Sequence, residues 1–151
     1  FISKTAEITE LLRQGMTKYE LVARGGVSMF ASVTRPRPSP VQWQAYVDGM
    51  DIQRRLPGMV GLGYAEFVPA TRLPDLQLAW REAGYGLLEI WPRGQRRDYG
   101  PILYLEPKTP SNVGALGFDM YSDPVRQAAL ARGVLTSVLT ARAFPSPARR
   151  G

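Results

Sequence analysis

The chain has 151 residues, the size of one ordinary domain or two small subdomains, with globular proportions of 44% hydrophobic and 21% charged residues. It contains neither histidine nor cysteine, which excludes imidazole acid–base catalysis, thiol nucleophiles, disulfides and nearly all common zinc sites. We therefore expect no catalytic residue, no metal site and no cofactor.

The formal charge of +6 arises from 19 basic residues against 13 acidic ones, and the basic residues are almost all arginines. They occur as scattered pairs such as Arg54/Arg55 and Arg96/Arg97, whereas a nucleic-acid interface favours a basic stripe with interleaved aromatic residues. We expect a solvated surface and no nucleic-acid partner, and a basic nucleic-acid-associated protein is the alternative class. The sequence begins at Phe1 without a signal peptide, so we expect it to be a piece of a longer protein.

The first thirty residues predict one long helix, because apolar and small residues recur at alternating steps of four and three. These positions are Ile8, Leu12, Gly15, Tyr19, Val22, Gly26 and Met29. Such a stripe is compatible with packing on the same domain and equally with pairing to a second copy of the chain. Its glycines let a second backbone approach closely.

Strands and helices alternate after this helix. The prolines of residues 35–40 form a connector, because proline cannot continue a helix. The further predicted elements are a helix from Val41 that ends before Pro57, a strand at 60–68, a helix at 74–83, strands at 86–91 and 99–105, a loop at 107–112, a short strand at 117–121, a capped helix from Pro124 to Gly133, and a strand at 134–140.

An ordered series of short motifs runs through residues 56–126. It consists of Leu56-Pro57-Gly58, Val60-Gly-Leu-Gly-Tyr64, Tyr99-Gly-Pro101-Ile-Leu-Tyr104, Gly117-Phe118-Asp119 and Ser122-Asp123-Pro124-Val125-Arg126. In this order and at these separations the series resembles the CHASE domain, an extracytoplasmic sensor module of receptor histidine kinases and diguanylate cyclases. The resemblance extends to about Leu139 and depends on the whole series.

The resemblance implies an α+β fold, in which a long N-terminal helix is followed by PAS-like antiparallel-sheet subdomains. It divides the chain into a dimerisation and signalling helix at 1–34, a CHASE-like sensor region at 35–142, and a loose tail rich in proline and arginine at 143–151. The strand that the family has after this tail has no counterpart in the sequence, which leaves the completeness of the membrane-proximal subdomain open.

The same resemblance implies a non-catalytic, periplasmic ligand-sensing domain. Its parent would be a bacterial receptor anchored in the inner membrane, such as the histidine kinase of a two-component system or a diguanylate cyclase. The expected partners are a small-molecule ligand and a second copy of the chain, paired through the N-terminal helix.

A ligand site is predicted on the sheet of the membrane-distal subdomain. In plant cytokinin receptors of this family, an aspartate ahead of the Tyr-x-Pro strand reads the purine, and a Leu-Thr-Ser run closes the pocket. Asp98 and Thr136 stand in the matching segments here and are the predicted polar contacts. The predicted apolar lining consists of Leu88, Ile90, Tyr99, Ile102, Tyr104, Phe118 and Leu139. Alternate residues on strands also fill cores, and this remains the other interpretation of the apolar set.

Two further sets of charged residues have simpler interpretations. Asp119 and Arg126 predict an ion pair between a turn and a helix. The carboxylates Glu66, Glu89 and Glu106 define a second alternative, a carboxylate-based hydrolase, whose chemistry needs two carboxylates at a fixed separation.

Overall fold

The computed structural model describes residues 3–32 and 37–132, and the chain divides into two compact units. The first unit holds the residues up to Leu62, and the second holds Gly63–Ala131. The fold class is α+β, as predicted, with a long N-terminal helix and small antiparallel sheets. Thr136, Leu139, the strand predicted at 134–140 and the tail at 143–151 lie outside the described residues.

Helix α1 (Ser3–Ser32) confirms the predicted long helix, and its C-terminal half packs on α2 within the first unit. The Tyr46 hydroxyl donates a hydrogen bond to the Val22 carbonyl at 2.7 Å. A Cβ on Gly26 would stand 3.1 Å from the Trp43 ring, and one on Gly25 would collide with the Tyr46 hydroxyl. The glycines of this half therefore make room for the aromatic side chains of α2 in the same chain.

The N-terminal half of α1 faces solvent. Ile8, Leu12 and Met16 are 58%, 66% and 51% exposed, and a Cβ on Gly15 would meet nothing within 4 Å. The apolar stripe predicted from the sequence is thus covered over its second half and exposed over its first.

Helix α2 (Pro40–Met50) begins at a capping box, in which Ser39 and Gln42 each accept a hydrogen bond from the other's backbone nitrogen. It buries Trp43 and Val47. The sequence predicted one helix ending before Pro57, but Asp51 adopts a left-handed conformation and separates α2 from the short helix α3 (Ile52–Arg55). No helix among the described residues is both long and apolar enough to span a bilayer.

Four short strands build the second unit, β1 (Leu62–Ala65), β2 (Val68–Pro69), β3 (Asp98–Tyr99) and β4 (Ile102–Glu106). Strand β1 pairs with β4, and β2 pairs antiparallel with β3. The strands predicted at 60–68 and 99–105 are therefore each divided in two. Pro101 has no N–H for a ladder, and its carbonyl accepts a hydrogen bond from the Glu66 nitrogen at 3.1 Å.

Three helices complete the second unit, α4 (Leu73–Glu82), α5 (Pro110–Gly114) and α6 (Pro124–Arg132). The prediction of a loop at 107–112 was wrong for its C-terminal part, where α5 begins at Pro110. The Thr109 hydroxyl caps this helix by accepting a hydrogen bond from the Asn112 nitrogen. The helix predicted from Pro124 is confirmed, with Asp123 accepting from the Val125 nitrogen at 2.9 Å.

Two predicted strands did not form. The strand predicted at 86–91 is absent, because Gly84 and Gly86 both adopt positive φ, and the one β-bridge of this segment among the described residues joins Trp91 to Phe118. In residues 117–121 only isolated bridges occur, followed by a 3₁₀ turn at Met120–Ser122.

The core of the second unit is a cluster of Trp91, Ile102, Leu105, Ala115, Phe118 and Met120. The rings of Trp91 and Phe118 meet edge to face, with centroids 4.8 Å apart. Burial of a side chain of this size stabilises by about 1.5–3 kcal/mol, so the cluster anchors the segments that surround β4.

Candidate ligand-binding site

The predicted lining residues Ile102 and Phe118 belong to this core. They are 5% and 2% exposed and pack against Trp91. In the described residues they therefore fill the interior of the second unit and support the sheet from behind.

Tyr104 lies in a different environment, a row of aromatic side chains formed by Tyr64, Trp80, Tyr85 and Tyr104. We call this set the aromatic row. Its ring centroids are 4.9 Å apart from Tyr85 to Trp80, 5.9 Å from Trp80 to Tyr104 and 5.8 Å from Tyr104 to Tyr64. Tyr85 is 44% exposed and Tyr104 is 5% exposed, so the row leads from the surface to β4.

Three members of the aromatic row were missed by the sequence analysis. Tyr64 carried a signal, since it ends one of the quoted motifs and lies on β1, which pairs with β4. Trp80 lies on α4, and Tyr85 follows that helix, so their approach to Tyr104 depends on tertiary packing that no local pattern encodes.

The predicted residues Leu88 and Ile90 lie on the irregular segment that follows α4. Leu88 is 9% exposed, and its carbonyl accepts a hydrogen bond from the Gln77 side chain on α4 at 3.0 Å. Ile90 is half-buried. A side chain of α4 thus holds this segment in place without a strand ladder.

Tyr99 is 9% exposed, and its hydroxyl is fully engaged within the chain. The hydroxyl donates to the Gly94 carbonyl at 3.0 Å and accepts from the Arg96 backbone nitrogen at 3.1 Å. On the neighbouring strand, Tyr99 pairs with Val68.

Asp98 faces the other side of β3, as alternation along a strand requires. Its side chain is 28% exposed and lies 3.8 Å from Arg97 Nε. Burial raises the pKa of the Tyr121 hydroxyl, and the nearby carboxylates of Asp98 and Asp119 raise it further. Tyr121 in turn contacts Phe67, with ring centroids 5.8 Å apart. The described partners of Asp98 are therefore Arg97 and Tyr121, neither of which belongs to the predicted set.

Asp119 is fully buried and fixes the backbone around β3 and β4. Its Oδ1 accepts from the Gly100 nitrogen at 2.7 Å and from the Tyr121 nitrogen at 3.0 Å. Its Oδ2 lies 3.2 Å from Arg96 Nη1, a distance that defines an ion pair, although the angle of approach does not suit a hydrogen bond.

The predicted ion pair between Asp119 and Arg126 was therefore wrong. The two backbone N–H groups hold the Asp119 carboxylate toward Arg96, while Arg126 Nε lies 3.8 Å from Asp123 Oδ2. The Arg126 guanidinium also stands 5.3 Å from the centroid of the Phe118 ring. Arg126 is 1% exposed, so it supports α6 from inside the unit.

At two positions of the motif series, close neighbours leave no space for a side chain and so require glycine. Gly117 has φ +76°, and a Cβ there would collide with the Glu89 carbonyl oxygen. A Cβ on Gly100 would meet the Tyr121 ring at 2.7 Å. These motif positions therefore build the framework of the second unit.

The three carboxylates considered for hydrolysis lie in different surroundings. Glu66 accepts from the Tyr64 hydroxyl at 3.4 Å, Glu106 is 4% exposed with Lys108 Nζ at 3.7 Å, and Glu89 is exposed. Across residues 3–32 and 37–132, no three acidic side chains gather in a group able to hold a metal ion.

Comparison with known proteins bears on the motif series directly. The family model of the CHASE domain matches residues 36–142, which is more than half of the chain. A comparison with curated proteins finds no match. The chain belongs to the CHASE domain family, whose members are extracellular sensory domains of signalling receptors in membranes.

Proposed function

We propose that this chain is the periplasmic, small-molecule-sensing domain of a bacterial membrane receptor such as a histidine kinase or a diguanylate cyclase. Membership of the CHASE family over residues 36–142 carries the proposal. The lack of histidine and cysteine accords with a domain that binds and does not catalyse. Enzymatic output then belongs to another part of the receptor.

The proposed ligand site lies on the second unit, beside β3 and β4. The aromatic row supports this location, because ligand sites combine apolar and aromatic walls with a few polar groups. Tyr104 and Leu88 contribute apolar surface. The polar candidates are Asp98 and Tyr99, which face opposite sides of β3, and Thr136, which lies outside the described residues. Ile102 and Phe118 shape the site from the core.

A thermal-shift screen of a metabolite library tests this function. A ligand at a hundred times its dissociation constant stabilises by about 2.7 kcal/mol, which corresponds to a rise in Tm of roughly 5–10 °C for a chain of this size. We expect Asp98→Ala and Thr136→Val to abolish the shift that a hit produces, with little change in the ligand-free Tm.

The matched control is Asp75→Ala, which removes a carboxylate that is 67% exposed on α4. It should bind the hit like the wild type. If Asp98→Ala and Thr136→Val both keep unchanged affinity for the hit, the site lies elsewhere on the domain.

We also infer that the N-terminal half of α1 pairs with a second copy of the chain, so that ligand shifts an equilibrium between two arrangements of the dimer. The exposed stripe of Ile8, Leu12 and Met16 supports this inference, because its spacing suits a helix seam. Tyr19 and Val22 pack within the unit, since the Tyr19 hydroxyl donates to the Pro57 carbonyl and the Val22 carbonyl accepts from Tyr46.

Solution mass, measured by light scattering across protein concentration, tests the pairing. Leu12→Glu should lower the association constant of the dimer at least tenfold, because it places two like charges opposite each other in an apolar helix interface. Thr17→Glu places the same charge at an exposed position on the opposite face and should leave the dimer intact. A dimer that is indifferent to Leu12→Glu would place the interface elsewhere.

A further inference from the structure

Residues 92–97 form a loop between the core residue Trp91 and strand β3, and we call this loop the strap. Its residues 92–95 are exposed, whereas the side chain of Arg96 is only 22% exposed. The strap therefore turns one charged side chain inward while the rest of it faces solvent.

Both ends of the strap are tied to the body of the second unit by backbone hydrogen bonds. At its start, the Trp91 nitrogen donates to the Gly117 carbonyl at 3.0 Å, and the Trp91 carbonyl accepts from the Asp119 nitrogen at 2.7 Å. At its end, the Arg97 carbonyl accepts from the Ala70 nitrogen at 2.9 Å. The two ends are thus fixed to different segments, the Trp91 end to residues 117–119 and the Arg97 end to Ala70 beside the β2–β3 pair.

The middle of the strap is held by side chains. The Tyr99 hydroxyl bonds the Gly94 carbonyl and the Arg96 nitrogen, and the Arg96 guanidinium stands 5.9 Å from the centroid of the Tyr99 ring. Arg96 Nη1 donates to the carbonyls of Pro92 and Gly94 at 3.3 and 3.4 Å, near the long limit of hydrogen bonds. The strap thereby covers the hydroxyl of Tyr99.

A further contact between the middle of the strap and the interior is the ion pair of Arg96 with Asp119. A buried carboxylate that loses its partner is strongly penalised, so this ion pair favours the closed strap. The Asp119 Oδ2 atom nevertheless has no hydrogen bond among the described residues, and Arg96 itself keeps partial access to solvent. The contact is therefore an ion pair without a hydrogen bond, and solvent reaches its arginine.

We propose that the strap opens as a local unit over Tyr99, with the Arg96–Asp119 ion pair as its latch, and that this opening admits ligand to the Tyr99 hydroxyl. The admission of ligand rests on the proposed sensing function. The latched opening does not, because it follows from contacts within the chain.

Amide hydrogen exchange of the full chain, followed by mass spectrometry without ligand, tests the latch. Arg96→Gln should speed exchange of the strap amides at residues 93–97 about tenfold or more, since the buried Asp119 carboxylate loses its ion-pair partner when the strap is closed. The amides of β4 should exchange at the wild-type rate. Asp119→Asn keeps Oδ1 as an acceptor but removes the negative charge that faces Arg96. It should therefore also raise the exchange rate of the strap amides.

Arg93→Gln is the matched control, because it removes the same charge from an exposed position in the same loop and should leave exchange unchanged. The proposal is overturned if Arg96→Gln leaves strap exchange at the wild-type rate. It is equally overturned if exchange rises by the same factor in β4, because the ion pair then supports the whole unit. A failed ligand screen would leave this result standing, so the two proposals fail separately.

Discussion

At the scale of single residues, several positions of the motif series are explained by close contacts with the backbone. The Asp119 carboxylate accepts hydrogen bonds from the Gly100 and Tyr121 nitrogens. Gly117 lies so close to the Glu89 carbonyl that a Cβ would collide with it. Residues that identify the family thus set the backbone, whereas the side chains that line the approach to β4, such as Trp80 and Tyr85, lie outside the motifs.

Gly117 provides a prediction with an internal control. Gly117→Ala should lower the free energy of unfolding by about 3 kcal/mol or more, because a left-handed alanine costs about 1–2 kcal/mol and its methyl group also collides with the Glu89 backbone. Gly84 has a similar φ of +84°, but a Cβ there would meet nothing within 4 Å. Gly84→Ala should therefore lower the free energy of unfolding only by the cost of the left-handed conformation. Urea unfolding of both variants measures the difference, and equal losses would contradict the steric account.

At the scale of elements, helices were better predicted than strands. Spacing and caps identified α1, α4 and α6, because a helix is specified by its own residues. The strands at 60–68 and 99–105 were located, but their division at residues 66–67 and 100–101 was not predicted. Whether residues 85–90 form a ladder depends on a partner strand and on the φ of Gly84 and Gly86.

The candidate site was predictable to a similar degree. Tyr99 and Tyr104 came from a quoted motif, and both are buried near β3 and β4. The opposite orientation of Asp98 follows from alternation along β3. Its carboxylate raises the pKa of Tyr121, a residue distant in the sequence that no local pattern brings near it. The partner of Asp119 was missed because Arg96 belongs to a polar loop, where no periodic pattern assigns a direction to a side chain.

The packing of α1 on α2 gives a prediction at this scale. Gly15→Ala should stabilise the first unit by about 1 kcal/mol, because alanine favours a helix and its methyl group meets nothing within 4 Å. Gly25→Ala should destabilise it, because the methyl group displaces the Tyr46 hydroxyl from its bond to Val22. Thermal unfolding followed by circular dichroism compares the two, and a Gly25→Ala variant as stable as Gly15→Ala would exclude this close helix contact.

At the scale of the whole molecule, a net charge of +6 is compatible with two classes of protein, sensors with a solvated basic surface and nucleic-acid-binding proteins. Several arginines of the described residues have acidic neighbours, which is typical of a solvated charged surface. Examples are Arg24 with Glu20 at 2.7 Å and Arg72 with Asp75 at 2.9 Å. We therefore expect duplex DNA to bind weakly.

The most direct test of the sensing function is an isothermal titration of the best-stabilising metabolite, and of duplex DNA, into the wild-type chain at about 50 and about 200 mM salt. Binding that neutralises several phosphates weakens by a factor of about 10³ or more over this range. We predict saturable binding of the metabolite, with an affinity that changes less than tenfold between the two salt concentrations, and weak DNA binding at both. Tight DNA binding that collapses at the higher salt, together with no heat from the metabolite, would contradict the sensor assignment.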